Sequence, residues 1–192
     1  MNEQQERLRR AADRLQTQVT ILGSFVGIIW VLELADVFLL GQALNAYGVI
    51  PRQPIGLRGI LMMPLLHGGL AHVAANTLPF IVLGWLVMLR RVADFIAVTI
   101  TTMLVTGVGL WFFGAGRSVY IGASGLIFGY FGFLLWRGYY ERSGYAVLVA
   151  VFVAIFYGGL IWGIFPQQPG VSWEAHLLGL LGGVMAARML ST

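Results

Sequence analysis

The sequence contains no cysteine and no lysine, and only 10% of its 192 residues are charged. The absence of cysteine excludes disulfide bonds and leaves the redox compartment undetermined. The shortage of charge stands against 58% hydrophobic residues and a mean hydropathy of +0.82. A soluble domain of this composition has too few polar residues to cover its own core. The solvent of this chain is therefore expected to be lipid.

Six apolar segments are long enough, or nearly so, to cross a hydrocarbon layer that about 20 helical residues span. They are Val19–Leu40, Leu70–Leu89, Val92–Phe113, Ile121–Trp136, Gly144–Phe165 and Ser172–Leu190. Little sequence remains outside them, and no internal repeat of the kind found in many transporters is visible. The sequence therefore predicts an all-α membrane protein, with a bundle of six transmembrane helices over residues 19–192.

All 12 basic residues are arginine, and their distribution predicts the orientation of the bundle. With the N-terminus in the cytoplasm, nine arginines lie inside, and only Arg52, Arg58 and Arg117 lie outside. This asymmetry follows the positive-inside rule, and an even number of spans brings both termini to the cytoplasm. The net charge of +4 is thus attributed to membrane topology, and nucleic-acid binding is not expected. Residues 1–18 are interpreted as a cytoplasmic segment, either a short helix on the membrane surface or a disordered tail.

One predicted connection, residues 41–69 on the outer side, is much longer than the others. It is rich in glycine and proline, yet it carries seven apolar residues: Ile50, Ile55, Leu57, Ile60, Leu61, Met62 and Met63. Apolar residues in this number are not expected in a solvated linker. We expect this loop to fold back onto, or partly into, the outer leaflet.

The three histidines all fall near the predicted outer face. His67 ends the long loop, His72 opens the second span and His176 opens the sixth. Ionisable groups inside a span are costly and usually functional. A hydrogen bond between helices, or an interfacial anchor, explains a single membrane histidine equally well. Asn76 follows His72 by four residues, so both side chains lie on one helix face and can donate into a common pocket; a polar contact between helices is the alternative.

A serine opens the fourth span within the sequence Gly122-Ala123-Ser124-Gly125. The backbone N–H groups at a helix start lack intrahelical acceptors, so they are free to stabilise a developing oxyanion. Gly125 and Gly129 also form a G-x-x-x-G pattern, which is typical of helix packing. The serine motif alone therefore supports either interpretation.

The sixth span carries His176, Gly179 and Gly183 on one helical face. If the fourth and sixth spans pack through their glycines, Ser124 and His176 meet at the same depth. A nearby base is what a serine hydroxyl needs to become a nucleophile. Glu174 lies on another side of the helix, so a Ser–His dyad is predicted in place of a triad.

Taken together, HGGLAHVAAN at 67–76, GASG at 122–125 and AHLLGLLGG at 175–183 resemble the bacterial rhomboid intramembrane proteases. The motifs occur in the family's order, on the second, fourth and sixth spans. The resemblance implies that Ser124 is the nucleophile and His176 the general base. It also implies an oxyanion hole made by His72, Asn76 and the backbone N–H of Ser124.

The resemblance implies supporting roles as well. Gly122 opens the active-site loop, Phe128 packs on the catalytic imidazole, and His67 is a structural loop histidine. Close packing around the dyad is assigned to Gly125, Gly179 and Gly183. One departure is that Leu57-Arg58 stands where the family often has a Trp-Arg pair, which puts the bracing of the first loop in question.

The resemblance further implies a multi-pass protein of the bacterial inner membrane, with single-span membrane proteins as substrates and with no metal or cofactor. Cleavage is expected near the outer end of the substrate helix. An inactive relative that binds membrane helices is one alternative, although such proteins usually lose the serine or the histidine. A small transporter using Glu33 and Asp36 as a proton path is another; hydration of Asp36, or pairing of Glu33 with the loop, explains these residues equally well.

Overall fold

The computed structural model describes residues 3–166 and 170–191. The predicted segments 1–18 and 19–192 include residues 1, 2, 167–169 and 192, which lie outside the described residues. The α-helices are α1 Glu3–Phe38, α2 Gly59–Met62, α3 Leu70–Met88, α4 Val92–Phe113, α5 Ser124–Glu141, α6 Gly144–Tyr157 and α7 Trp173–Leu190. Short 3-10 helices cover Ala43–Tyr47, Pro54–Arg58, Met63–Leu65 and Gly158–Ile164. The prediction of an all-α membrane bundle is confirmed, and its six spans correspond to α1 and α3 to α7.

The helix boundaries differ most from the predicted spans at three places. Helix α1 is continuous from Glu3, so the charged residues before position 19 extend the first span instead of forming a separate element. Helix α5 runs on to Glu141, past the predicted end at Trp136. The fifth span changes from α-helix to 3-10 helix at Gly158. Hydropathy locates the apolar part of a helix and does not report where its hydrogen bonding ends.

Helices α5 and α7 form the centre of the bundle, and the contact between them is the most extensive in the fold. Four helical segments in the described residues are long and apolar enough to cross a membrane: Glu3–Leu40, Leu70–Met88, Val92–Phe113 and Gly144–Ile164. The remaining two long helices, α5 and α7, are less apolar on average than α3, α4 and α6 and are rich in glycine. Other helices cover much of the surface of α5 and α7. These two helices therefore need less apolar character than helices that face lipid.

Ion pairs connect the charged residues at the end of α5, of which Arg137 is buried. Arg137, only 5% exposed, contacts the Glu141 carboxylate at 3.0 Å, and Arg90 contacts the same carboxylate at 2.5 Å. A buried charge is tolerated when it is paired in this way. The pairing explains why α5 continues beyond its apolar part.

The long outer loop packs against the bundle. Val49 pairs with Tyr120 through two backbone hydrogen bonds, and the Arg52 guanidinium donates to the carbonyl oxygen of Gly114. Arg58 lies over the ring of Tyr47, with 4.2 Å between its Cζ and the ring centroid. Arg58 thus braces the loop through a tyrosine within the loop, and the residue before it is Leu57.

Candidate active site

The close approach of α5 and α7 depends on glycines at matching heights. A Cβ atom at Gly179 would clash with the carbonyl oxygen of Gly125, and one at Gly183 would clash with that of Gly129. Small residues at such positions let two helix backbones touch. The four glycines bring the outer ends of the two helices together, where Ser124 begins α5 and His176 lies in the first turn of α7.

The segment before Ser124 is held by the outer loop. Gly122 has a φ of +115°, a backbone conformation that L side chains rarely adopt, and its N–H donates to the Met63 carbonyl at 2.9 Å. The Ala123 N–H donates to Nε2 of His67 at 3.4 Å. The sharp turn at Gly122 directs the chain into α5, so that Ser124 stands at the helix start. Among the described residues, no acceptor pairs with the Ser124 N–H.

His67 is 1% exposed, so its side chain is not accessible to a substrate. It contacts the segment before Ser124 through the hydrogen bond from Ala123. Its burial, followed by the repulsion from His72, lowers the pKa of its imidazole to about 4. A neutral ring is also what the contact with Ala123 requires, because Nε2 must keep its lone pair to accept the N–H.

The ring of His176 is fixed on two sides. It stacks on Phe128 with 4.1 Å between ring centroids and an angle of 4° between the planes. Its Nδ1 lies 2.9 Å from the carbonyl oxygen of Gly163. A carbonyl can only accept, so Nδ1 carries the proton and Nε2 keeps a free lone pair. This is the tautomer that a general base needs.

His72 has the opposite tautomer for a similar reason. Its Nδ1 accepts the backbone N–H of Gly68 at 3.2 Å, so the ring proton sits on Nε2. A Cβ atom built on Gly122 would lie 2.9 Å from that Nε2 and 3.8 Å from the Ser124 hydroxyl oxygen. The Nε2–H of His72 is therefore a hydrogen-bond donor close to the serine.

Asn76 supplies a second donor. It is 6% exposed, and its side-chain Nδ2 is a buried amide nitrogen that lacks an acceptor in the described part of the chain. A buried donor without a partner costs free energy unless a bound group completes it. Asn76 borders the same space as His72, so its amide is available to an oxygen bound there.

A cavity of about 680 Å³ joins these groups. Its lining includes His72, Asn76, Ser124, Phe128, Gly163 and His176. No direct hydrogen bond joins the Ser124 hydroxyl to His176 within the described residues, so their separation in the reacting complex stays a prediction. Catalytic hydrogen bonds are often long without substrate and shorten when it binds.

The two acidic residues of the first span take structural partners. Glu33 accepts the backbone N–H of Gly69 at 2.6 Å, and Asp36 accepts that of Leu44 at 2.9 Å. Both carboxylates are 2% exposed. Glu33 sits at the N-terminal end of α3, where helix geometry leaves N–H groups unpaired and favours a negative charge. These contacts favour a structural role in which Glu33 and Asp36 bond to the outer loop. The expected hydration of Asp36 is not seen, because its side chain is buried.

Gly163 is a site residue that sequence reasoning missed. Its carbonyl orients His176, and a Cβ atom there would lie 2.7 Å from Cζ of Phe128 and 3.2 Å from Nδ1 of His176. The available signal was the group of glycines at positions 158, 159 and 163, near the outer end of the fifth span. Composition alone could not distinguish Gly163, which contacts the imidazole, from Gly158 and Gly159, where an added Cβ would meet open space.

Comparisons with known proteins identify a family and several relatives of this chain. A family model described as "Rhomboid domain" matches residues 56–192. An uncharacterized protein of Mycobacterium tuberculosis is 39% identical over 180 residues, which cover 90% of this chain and 75% of the relative. An uncharacterized protein of Mycobacterium leprae is 38% identical over 181 residues, which cover 90% of this chain and 71% of the relative.

Proposed function

Because the chain belongs to the rhomboid family, we propose that this multi-pass membrane protein is a serine endopeptidase that cleaves single-span membrane proteins. The observation that carries the proposal is the convergence of four groups on one cavity: Ser124, His176, His72 and Asn76. They supply a nucleophile, a base with a free Nε2 and two hydrogen-bond donors. Peptide hydrolysis by a Ser–His dyad needs this set.

In the proposed reaction, the Ser124 Oγ attacks the scissile carbonyl carbon while His176 Nε2 takes the hydroxyl proton. The resulting oxyanion accepts hydrogen bonds from His72 Nε2–H, the Asn76 amide and the Ser124 backbone N–H. The tetrahedral intermediate breaks its C–N bond, and His176 returns the proton to the leaving amine. Water then attacks the acyl-enzyme with His176 again acting as the base, which releases the acid and regenerates the serine.

The location of the site supports cleavage close to one membrane face. Ser124 and His176 belong to the first turns of α5 and α7, and His72 belongs to the first turn of α3. All three starts lie at the end of the bundle that carries the long loop, which we assign to the outside from the arginine distribution. Water reaches a site at this depth, whereas the bilayer centre holds none for the hydrolytic step. We place the protein in a bacterial inner membrane.

The proposal is tested with the purified full chain in liposomes and a fluorescent single-span peptide. We expect the wild type to release a fragment cut near the outer end of the peptide helix, and Ser124→Ala to release none. A fluorophosphonate probe should add to Ser124 in the wild type, as located by mass spectrometry. Cleavage by Ser124→Ala at the wild-type rate would overturn the assignment.

A helix-binding relative without catalysis predicts a different outcome of the same experiment. The peptide would then bind to the wild type and to Ser124→Ala with equal affinity, with no cleavage in either case and no probe on Ser124. A panel of single-span peptides that differ in the residues near the outer end keeps a poor substrate from being mistaken for an inactive protein.

A further inference from the structure

Tyr120 joins three parts of the protein just before the serine. It is 3% exposed and lies four residues before Ser124. Its backbone N–H and carbonyl pair with Val49 of the outer loop at 2.9 and 3.0 Å. Its hydroxyl oxygen accepts the Ala115 N–H at 2.7 Å and donates its own proton to the Glu174 carboxylate at 3.2 Å.

Glu174 lies in the first turn of α7, two residues before His176. A carboxylate there is stabilised by the unpaired N–H groups of the helix start. The hydrogen bond from Tyr120 ends on a carboxylate oxygen of Glu174, an acceptor that an amide oxygen can replace. Among the described residues it is the one side-chain hydrogen bond that joins the segment before α5 to α7.

The nucleophile and the base depend on contacts between separate helices, because no hydrogen bond holds Ser124 to His176 directly within the described residues. Towards the membrane centre, the glycine contacts at Gly179 and Gly183 set the distance between α5 and α7. Glycine contacts fix closeness but allow one helix to slide or tilt against the other. A second fixed point above the dyad removes that freedom, and the Tyr120–Glu174 bond supplies it.

We propose that Tyr120 and Glu174 are positioning residues that hold the start of α5 against the start of α7, so that Ser124 and His176 keep their reactive geometry. This inference rests on the proposed function. Neither side chain acts on the substrate, so breaking the bond lowers kcat and leaves KM near its wild-type value.

A direct effect of the Glu174 charge on the His176 ring is the competing explanation, and substitutions separate the two. Glu174→Gln removes the charge but keeps an amide oxygen that can accept from the tyrosine hydroxyl. Glu174→Ala removes both charge and acceptor, and Tyr120→Phe removes the donor while leaving the charge in place. Positioning predicts normal activity for Glu174→Gln and a loss for each of the other two variants. The loss in Tyr120→Phe is at least as large as that in Glu174→Ala, because Tyr120→Phe also removes the acceptor of the Ala115 N–H.

The kinetic test uses full-length variants in liposomes with a single-span peptide substrate. Tyr120→Phe and Glu174→Ala should each lower kcat roughly ten- to a hundredfold, the size expected for a small misplacement of reacting groups. The double variant Tyr120→Phe/Glu174→Ala should lose no more than Tyr120→Phe alone. Tyr139→Phe is the matched control, because Tyr139 is 71% exposed at the other end of α5. Loss of activity in Glu174→Gln equal to that in Glu174→Ala would overturn the proposal in favour of the charge.

A measurement that needs no turnover separates this proposal from the proposed function. The chain has no cysteine, so spin labels at Arg117→Cys and Leu181→Cys report the position of the serine segment relative to α7. Both residues are exposed. The distance distribution should broaden in Tyr120→Phe and Glu174→Ala and stay narrow in Glu174→Gln and Tyr139→Phe. If the distance distribution broadens in Tyr120→Phe and Glu174→Ala but the wild type cleaves no peptide, the positioning role stands and the protease proposal is rejected. If the distribution is unchanged in all variants, only the positioning role is rejected.

Discussion

The Nδ1 atom of His176 lies 2.9 Å from the carbonyl oxygen of Gly163. This backbone contact orients the imidazole in a site where no carboxylate of the described residues bonds to the ring. In soluble serine proteases a buried aspartate fixes the tautomer of the catalytic histidine. Here the carbonyl of Gly163, in the 3-10 helix Gly158–Ile164, holds Nδ1 of His176, and Phe128 stacks on the ring.

Gly163→Ala should lower kcat roughly tenfold or more, because the added Cβ lies too close to Phe128 and to the His176 ring for either to keep its position. Gly158→Ala is the control in the same 3-10 helix, since a Cβ there meets open space. Peptide cleavage rates in liposomes check the difference. Equal rates for the two variants would mean that the Gly163 contact does not orient the base.

Ser124→Ala and His176→Ala should each lower kcat by at least about a thousandfold, and the double variant should be no worse than either. The two side chains act as one unit, so removing the second costs little once the first is gone. Circular dichroism and the melting temperature should stay close to wild type. Substantial turnover by either single variant would remove that residue from the mechanism.

Gly179→Val and Gly183→Val should reduce both activity and thermal stability, because each new side chain meets the backbone of α5. Overpacking of this kind costs about 1–3 kcal/mol and here also separates the dyad. Gly27→Val in α1 is the matched control, since a Cβ at Gly27 has no neighbour within 4 Å. Wild-type rates in both α7 variants would show that the helices do not depend on the glycine contact.

Asn76→Ala should lower kcat roughly ten- to a thousandfold with little change in KM. The oxygen of a ground-state carbonyl carries only partial charge, so the amide contributes most once the oxyanion forms. His72→Ala is expected to behave similarly, with an added loss of stability from its contact with Gly68. A higher KM at unchanged kcat in Asn76→Ala would assign this residue to substrate binding or helix packing.

Stability should fall with acidification through His67. Burial holds the pKa of the folded imidazole at about 4, against an ordinary value of 6.5 in the unfolded chain. The unfolded chain therefore takes up a proton first as pH falls. This favours unfolding progressively between pH 6.5 and 4, by at most about 3 kcal/mol, and the effect levels off below pH 4.

The matched variant for this prediction is His67→Gln, whose amide oxygen can accept the Ala123 N–H without titrating. Melting temperatures measured from pH 7.5 to 4 should fall more steeply for wild type than for His67→Gln. Other titrating groups, such as Glu33 and His176, are present in both proteins and so contribute to both curves. Parallel curves would mean that protonation of His67 does not oppose folding.

The sequence by itself determined that the protein lies in a membrane, that its fold is all-α and that it belongs to the rhomboid family. Apolar length and composition specify membrane helices because hydrocarbon satisfies no backbone hydrogen bond, so few other structures are possible. The family followed from three motifs in a fixed order, at 67–76, 122–125 and 175–183. The choice of Ser124 and His176 as site residues came from the same motifs and stays a prediction.

Only the tertiary structure decided which partner each polar side chain takes. Nothing in the sequence pairs Glu33 with Gly69, Tyr120 with Glu174 or Gly163 with His176, because these residues are separated by 13 to 54 positions along the chain. The same applies to the tautomers of His72 and His176, which depend on whether Nδ1 meets an N–H or a carbonyl. Hydropathy and spacing describe one helix at a time, whereas a hydrogen bond requires two groups within about 3 Å in a suitable direction. Packing between helices sets that distance and that direction.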